Sequence, residues 1–507
     1  MSINLLNSSP PPPQQPSTHK PRNLRWLWLA LGMTGVAAIS ATAGALLAVS
    51  MSSTPLAQRH LTPAEAKVFN RGQISNGDLH LPTLTRPVNI LVLGTKVLSS
   101  DVSNPPTNAQ NLSYDPTINS LEGLSDTMLL LRFDPANQQL VALSIPRDTR
   151  TLVPGGGLTK INEANATGGP ASAAKAVSDL LGGVGIDRYV RINVLGVGKL
   201  IETLGGVTVY VPEDMQYQDE TQHLYINLKK GEQHLNGEQT LQLLRFRYDQ
   251  YGDIGRIQRQ QMLMRALMEQ SLKPATVTKL PEILSIIQSH IDTNLSVEEL
   301  IALAGFAAQI NRSKVQMLMV PGEFSGSQYE ASYWLPNANK ISALVSRYFG
   351  VTAPDYSVES SSDSTSIRVA IQDSTDQAET TQKLMQRLST FGYDNAFLDD
   401  PWSQPLTRTR IIAQQGNQDA AEAIHKVLGF GEVLTESTGN LQSDVTIRLG
   451  KDALSVLNSP TAPASPAAAP APAAPASPAA ASPALSVQPI PSAQPNPSSS
   501  PASVNVN

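Results

Sequence analysis

DTMLLLRFDPANQQLVALSIPRD occupies residues 126–148 and divides into two apolar runs, DTMLLLRFD and QQLVALSIPRD, about the turn PANQ. Apolar runs of this length bounded by turn residues read as strands, and the short connection makes them a hairpin. VNILVLG (88–94) is a third run, apolar throughout and closed by Gly94, as expected of a buried strand that feeds a loop. GPASAAKAVSDLLGG (169–183) reads as a helix ended by glycine. RYVRINV (188–194), GVGKLIETLGG (196–206) and VTVYVP (207–212) follow as strand, helix and strand, and PEILSIIQSHI (281–291) and SVEELIALAGFAAQI (296–310) continue as helices. This succession predicts an α/β fold, a central mixed β-sheet flanked by helices.

The two ends of the chain read differently from its middle. WLWLALGMTGVAAISATAGALLAVSM runs from Trp26 to Met51 without a charge, longer than the roughly 20 apolar residues a membrane helix needs. Lys20, Arg22 and Arg25 precede it, which predicts a cytoplasmic N-terminus and everything beyond the run outside the cell. Ala41-Thr42-Ala43 also resembles a signal-peptide cleavage site, but the run exceeds the roughly 7–15 residues of a signal's apolar core, so an anchor is expected. From Ser459 to Asn507 the chain is almost all Pro, Ala and Ser with no charged residue, a composition that buries no core and predicts a disordered tail. The 507 residues contain no cysteine, which excludes disulfides, thiolate metal sites and cysteine nucleophiles. An exported chain of net charge −5 is not expected to bind nucleic acid.

LRFRYDQYGDIGRIQRQQ (244–261) nevertheless concentrates four arginines. In LLRFRY basic and apolar residues alternate, so a strand is expected with Arg245 and Arg247 on one face and Leu244 and Phe246 in the core. DIGRIQRQQMLMRALMEQ has helical spacing, with Arg256 one turn before Arg259 and Gln260 and with Met264, Leu267 and Met268 inward. Arginines converging near such a turn suit bidentate contact with phosphate oxygens. The plain alternative is a solvated salt-bridge network with Asp219, Asp249 and Asp253.

Other polar residues stand at the ends of apolar segments: Asp126 opens one strand, Arg147 and Asp148 close another, and Lys160 and Asn162 follow. Strand ends are where open α/β sheets place ligands, and carboxylates there suit Mg²⁺, which takes one or two of them with phosphate oxygens and water. The chain lacks a G-x-S-x-G elbow, a G-x-x-x-x-G-K-[ST] phosphate loop and an H-E-x-x-H pair, and its seven histidines are scattered.

SDTMLLLRFD, LVALSIPRDT, KINEANATGGP, VLGVGKLIETLGGVTVYVP, LNGEQTLQLLRFRY and GDIGRIQRQ together resemble the LytR-CpsA-Psr family in order and spacing over residues 88–270. SIRVAIQDSTDQAETTQKLMQRLSTFGYDNAFL (366–398) and SDVTIRLGKDA (443–453) resemble the C-terminal domain often attached to it. The resemblance implies a cytoplasmic segment 1–25, a transmembrane helix 26–51, a stalk 52–86, a catalytic domain 87–352, a linker 353–365, a small α+β C-terminal domain 366–455 and a tail 456–507. It implies transfer of a glycopolymer from a polyprenyl-pyrophosphate carrier in the membrane to peptidoglycan or another envelope acceptor.

Residue by residue, the resemblance assigns Asp126 to a metal, Mg²⁺ or Mn²⁺, and gives the pyrophosphate to Arg147, Arg245, Arg247, Arg256 and Gln260. Lys160 and Arg259 assist, and Asp253 orients Arg256 or acts near the acceptor. The sequence departs from the family pattern in LGTKVLSSD, where Lys96 stands at a position members commonly fill with Asp. Asp101 and Asp148 become candidates for a second metal carboxylate, and Lys96 a candidate phosphate contact. A non-catalytic scaffold for lipid-linked or wall glycans, and a polyprenyl-pyrophosphate hydrolase, are the alternative functions of such a site.

Overall fold

The computed structural model describes residues 56–457 apart from 57, 71, 77–81, 96–119, 220–223, 247–251, 271–278, 312–313, 327–328, 330, 352–363 and 441. The apolar run 26–51, the tail beyond 457 and nearly all of the linker lie outside the described residues. Among the described residues, no helix is long and apolar enough to cross a membrane.

Six strands form the central sheet: Val88–Thr95 (β1), Ser125–Asp134 (β2), Gln139–Ser144 (β3), Arg188–Asn193 (β4), Ile291–Thr293 (β5) and Val315–Met319 (β6). Their spatial order is β5-β4-β1-β2-β3-β6. β2 runs antiparallel to β1 and β3, β5 antiparallel to β4, and the pairs β1–β4 and β3–β6 are parallel, so the sheet is mixed as expected. Leu91, Leu130, Leu143 and Leu318 stand in register across four strands, and each is fully buried. At about 1.5–3 kcal/mol per buried leucine, this row fixes which face of each strand turns inward.

Helices cover both faces. On one lies Glu163–Leu180 (α1), which supplies Ala173, Ala174 and Val177 to the core containing Leu91 and Leu130. On the other, Leu303 of the helix Val297–Gln309 packs with Ile90 and Phe133. A satellite core joins Val194–Leu204 (α2), Gly237–Arg245 (α3) and Gly252–Gln270 (α4) through Ile201, Leu243 and Leu263. Gly205 ends α2 at φ 93°, a left-handed position suited to glycine.

Where a strand is expected at LLRFRY, the first three residues, Leu243–Arg245, are helical. Asn236 accepts from the backbone N–H of Gln239 while the Gln239 side chain accepts from the Asn236 N–H, a reciprocal cap that starts α3 eight residues before Leu244. Gly237, Thr240 and Leu243 then face inward at helical spacing, and Phe246, buried and extended, stops the helix. Alternation over a few residues at a helix end is too short to distinguish the two periods. Arg245 therefore leaves the last turn of a helix, and Arg247 lies outside the described residues. In α4 the buried hydrophobic positions are Ile257, Leu263 and Ala266, whereas Met264, Leu267 and Met268 are half-buried.

Residues from Val369 onward build a second, five-stranded mixed sheet around Ile371, Ile411 and Ile447, all essentially unexposed. Its strands alternate with the helices Ala378–Thr390 and Gln418–Leu428. This sheet meets the first directly: Ser437 N donates to Met317 O at 2.9 Å, in the middle of β6.

Candidate active site at the carboxyl edge of the sheet

β1, β3, β4 and β6 all point the same way, so Thr95, Ser144, Asn193 and Met319 end along one edge, where Ser125 begins β2. Backbone bonds hold the segments just beyond this edge together. Ser125 N donates to Asn162 O at 3.1 Å, and Asn162 N donates to Arg147 O at 3.2 Å. Three stretches that carry polar side chains are thereby fixed relative to one another before any side chain is considered.

Arg147 joins the carboxylates. Its Nη1 donates to Asp126 Oδ1 at 2.7 Å, and its Nε lies 3.5 Å from Asp148 Oδ2. Lys160 Nζ approaches the other oxygen of Asp148 at 2.8 Å. All four side chains are partly exposed, between 19% and 27%, so they are accessible to a ligand yet shielded from full solvation. Gln260, from α4, donates to Thr127 Oγ1 at 2.8 Å and brings that helix against the same edge. Gly94 faces Thr127 across the β1–β2 ladder, where a Cβ would stand 2.9 Å from the Thr127 Cβ.

Arg147, Asp126, Asp148, Lys160 and Gln260 thus lie at one edge. Arg259 has a different placement: its Nε donates to Leu243 O at 3.1 Å and its Nη2 donates to Phe246 O, so the guanidinium caps the carbonyl end of α3. Arg256 is buried in α4. Lys96, Asp101 and Arg247 lie outside the described residues, as does the side chain of Asp253. The sequence reading missed Thr127, Tyr333 and Trp334. Lys160 Nζ stands 5.7 Å from the Tyr333 ring, and Trp334 N donates to Asp148 O at 2.9 Å. These aromatics lie far along the chain from Lys160, and no local pattern announces such a contact.

The donor chemistry fits a hard cation. Thr95 Oγ1 and Ser125 Oγ, on residues paired in register at the start of β2, and Asn162 Oδ1, on the residue whose carbonyl accepts from Ser125 N, are buried oxygens without a protein hydrogen-bond partner. Like the carboxylates of Asp126 and Asp148 on the same segments, these are oxygen donors, the type preferred by Mg²⁺ and Mn²⁺. No group of three or more His, Cys, Asp or Glu is assembled for a metal among the described residues. Such an ion would therefore take one or two carboxylates here and complete its shell from phosphate and water.

Residues 52–348 match the model of the LytR_cpsA_psr family. The chain belongs to that family. Residues 366–452 match a second model, described as LytR cell envelope-related transcriptional attenuator. Among curated relatives, the polyisoprenyl-teichoic acid–peptidoglycan teichoic acid transferase TagV of Bacillus subtilis is 34% identical over 208 residues, 40% of this chain and 52% of the relative. The corresponding transferase TagU of Bacillus cereus is 29% identical over 284 residues, 55% of this chain and 82% of the relative. The crystal structure of B. subtilis TagV aligns with a TM-score of 0.42 at 28% identity, covering 53% of this chain and 98% of that one. The chain spans about half the length of the first curated relatives it matches.

Proposed function

We propose that this LytR_cpsA_psr protein is a membrane-anchored phosphotransferase that moves a glycopolymer from a polyprenyl-pyrophosphate carrier to peptidoglycan or another wall acceptor, with Mg²⁺ as cofactor. The observation that carries the reading is the arrangement Asp126–Arg147–Asp148–Lys160, alternating carboxylates and cations at the carboxyl edge of an α/β sheet. The names of the relatives, transferases acting between polyisoprenyl-linked teichoic acid and peptidoglycan, support the same chemistry. The apolar run Trp26–Met51 supports an anchor that holds the site near the carrier, with the folded residues outside the cell.

In this reading an acceptor hydroxyl attacks the glycan-bearing phosphorus. A new P–O bond forms, the bond to the second phosphate breaks, and polyprenyl phosphate leaves. The hydroxyl proton passes to a carboxylate of the same edge. Arg147 and Lys160 turn from their carboxylate partners toward the pyrophosphate and neutralise the charge that develops on its oxygens. Gln260 holds the amino-terminal half of α4 against Thr127 at the edge. Asp126, with Asp148 beside it, would hold Mg²⁺, which when bound supplies further neutralisation of phosphate charge.

The test is the full chain in vesicles with a lipid-pyrophosphate glycan, Mg²⁺ and peptidoglycan. Covalent attachment of glycan to peptidoglycan through a phosphodiester is the expected result. Release of free glycan phosphate with no attachment would make the protein a hydrolase, and binding without turnover would make it a scaffold.

A further inference from the structure

A cavity of ≈ 1120 Å³ opens between the two sheets, and both contribute to its wall. The larger domain supplies Tyr210, Trp334 and one face of α4, and the C-terminal region supplies Trp402, Arg410 and Arg448. The junction is fixed by specific polar contacts. Tyr210 Oη donates to Ser403 O at 2.5 Å, Gln258 Nε2 donates to Gly439 O at 3.1 Å, and Arg265 pairs with Glu436. The volume slightly exceeds that of typical small-ligand sites, roughly 300–1,000 Å³, and leaves room for several sugar units.

The lining has a definite chemistry. Basic side chains outnumber acidic ones five to three among the described lining residues. Arg448 is only 2% exposed, and its guanidinium lies 3.4 Å from the centre of the Trp402 ring. Its hydrogen-bond partners are neutral: Gln372 Oε1 at 2.8 Å, Thr438 Oγ1 at 3.3 Å and the Thr438 carbonyl. Arg410 stands directly opposite on the neighbouring strand. Burial first, then Arg410, pull Arg448 down to about 9, with Asp399 partly offsetting them. A buried cation with neutral partners is costly by itself and favours an anion nearby. Aromatic faces carry negative charge density that attracts polarised C–H bonds, as on one side of a sugar ring; the half-buried Tyr210 and the face of Trp402 turned away from Arg448 supply such rings, while Trp334, buried in the core, backs the wall.

We propose that this cavity is a binding site for an anionic saccharide segment, with the C-terminal region forming one of its walls. Trp334 belongs both to the cavity and, through its N–H to Asp148 O, to the candidate active site. The cavity wall is thereby tied, through the backbone of Trp334, to the segment that carries Asp148, although no residue of the proposed transfer site lines the cavity itself. The inference rests on the reading that the protein handles envelope glycans, and it assigns a place and a charge to one of them. The same chemistry describes a wall glycan strand with carboxylates and a transferred polymer with phosphates.

Direct binding separates these sources and isolates the cavity from catalysis. The full chain in detergent is titrated with peptide-free glycan strands from peptidoglycan, with a delipidated phosphate-bearing glycopolymer, and with a neutral chitin oligosaccharide of similar length. One of the two anionic glycans is expected to bind at least about tenfold more tightly than the neutral one, and the one that does names the source. Trp402→Ala should weaken that binding about tenfold, whereas Asp126→Ala should retain it. If Trp402→Ala lowers the melting temperature by many degrees, the exposed lining residue Gln442 decides through Gln442→Ala. Absence of binding by every probe, equal binding of the neutral one, or unchanged affinity in the folded cavity variant would overturn the proposal. Binding without transfer in the wild type would leave the cavity standing and remove the phosphotransferase reading alone.

Discussion

Arg147 Nη1 stands 2.7 Å from Asp126 Oδ1 while its Nε faces Asp148 Oδ2 at 3.5 Å, so one guanidinium spans both carboxylates. A lysine presents one point charge and cannot reproduce this fork. Arg147→Lys is expected to lower transfer by on the order of 10²-fold, and Asp126→Ala by about 10²–10³-fold with loss of Mg²⁺ dependence. Because the pair is partly exposed, its contribution to folding should be only about 0–1 kcal/mol. Transfer rate and melting temperature measured on the same proteins check both statements. A large fall in melting temperature with intact transfer would make the pair structural.

A second ion pair should behave in the opposite way. Asp292 accepts from Arg191 Nε at 2.6 Å, from Tyr189 Oη at 3.2 Å and from the backbone of Arg59 at 2.7 Å, and both Arg191 and Asp292 are nearly unexposed. Asp292→Ala leaves a buried guanidinium uncompensated and should cost about 3–5 kcal/mol in urea unfolding. Asp292→Asn keeps the shape and some acceptors and should cost less. Equal stability of wild type and Asp292→Ala would refute this account.

Gly237 opens α3 at the point where that helix crosses α2. A Cβ at Gly237 would stand 2.2 Å from Gly198 O, backbone that has no flexible end to move aside. Gly237→Ala should therefore cost about 1–3 kcal/mol through overpacking, despite the better helix propensity of alanine. Since α3 carries Arg245 at its far end, the same variant should also lower transfer. A gain in melting temperature would mean that propensity outweighs the contact.

The basic residues ahead of Trp26 give a topological forecast. Alkaline phosphatase fused after Asn507 is expected to be active, because it matures outside the cytoplasm. Activity of a cytoplasmic reporter at the same position would reverse the orientation. A mature N-terminus near Gly44 found by mass spectrometry would replace the anchor with a cleaved signal.

The sequence by itself determined what depends on local periodicity and composition. Val88–Gly94, Asp126–Asp134 and Gln139–Ser144 are strands because continuous apolar side chains bounded by turns suit a sheet buried on both faces, and α2 is a helix because its apolar spacing ends in Gly205 and Gly206. The same locality makes the polar ends of these runs legible, so Asp126, Arg147, Asp148 and Lys160 stand out from the sequence alone. Tertiary structure alone decided what those residues meet. Helical spacing gives Arg259 a face shared with Arg256 and Gln260, yet it caps the carbonyls of Leu243 and Phe246, because α4 packs beside the end of α3. Arg245 belongs to a helix because the Asn236–Gln239 cap and the burial of Leu243 outweigh the short alternation Leu244–Arg247. The meeting of Asp148 with Trp334, and of Trp402 with Arg448, joins residues distant in sequence. Which strand edges and sheets come together is set by the burial of the whole core, an energy to which no short window of sequence contributes more than a fraction.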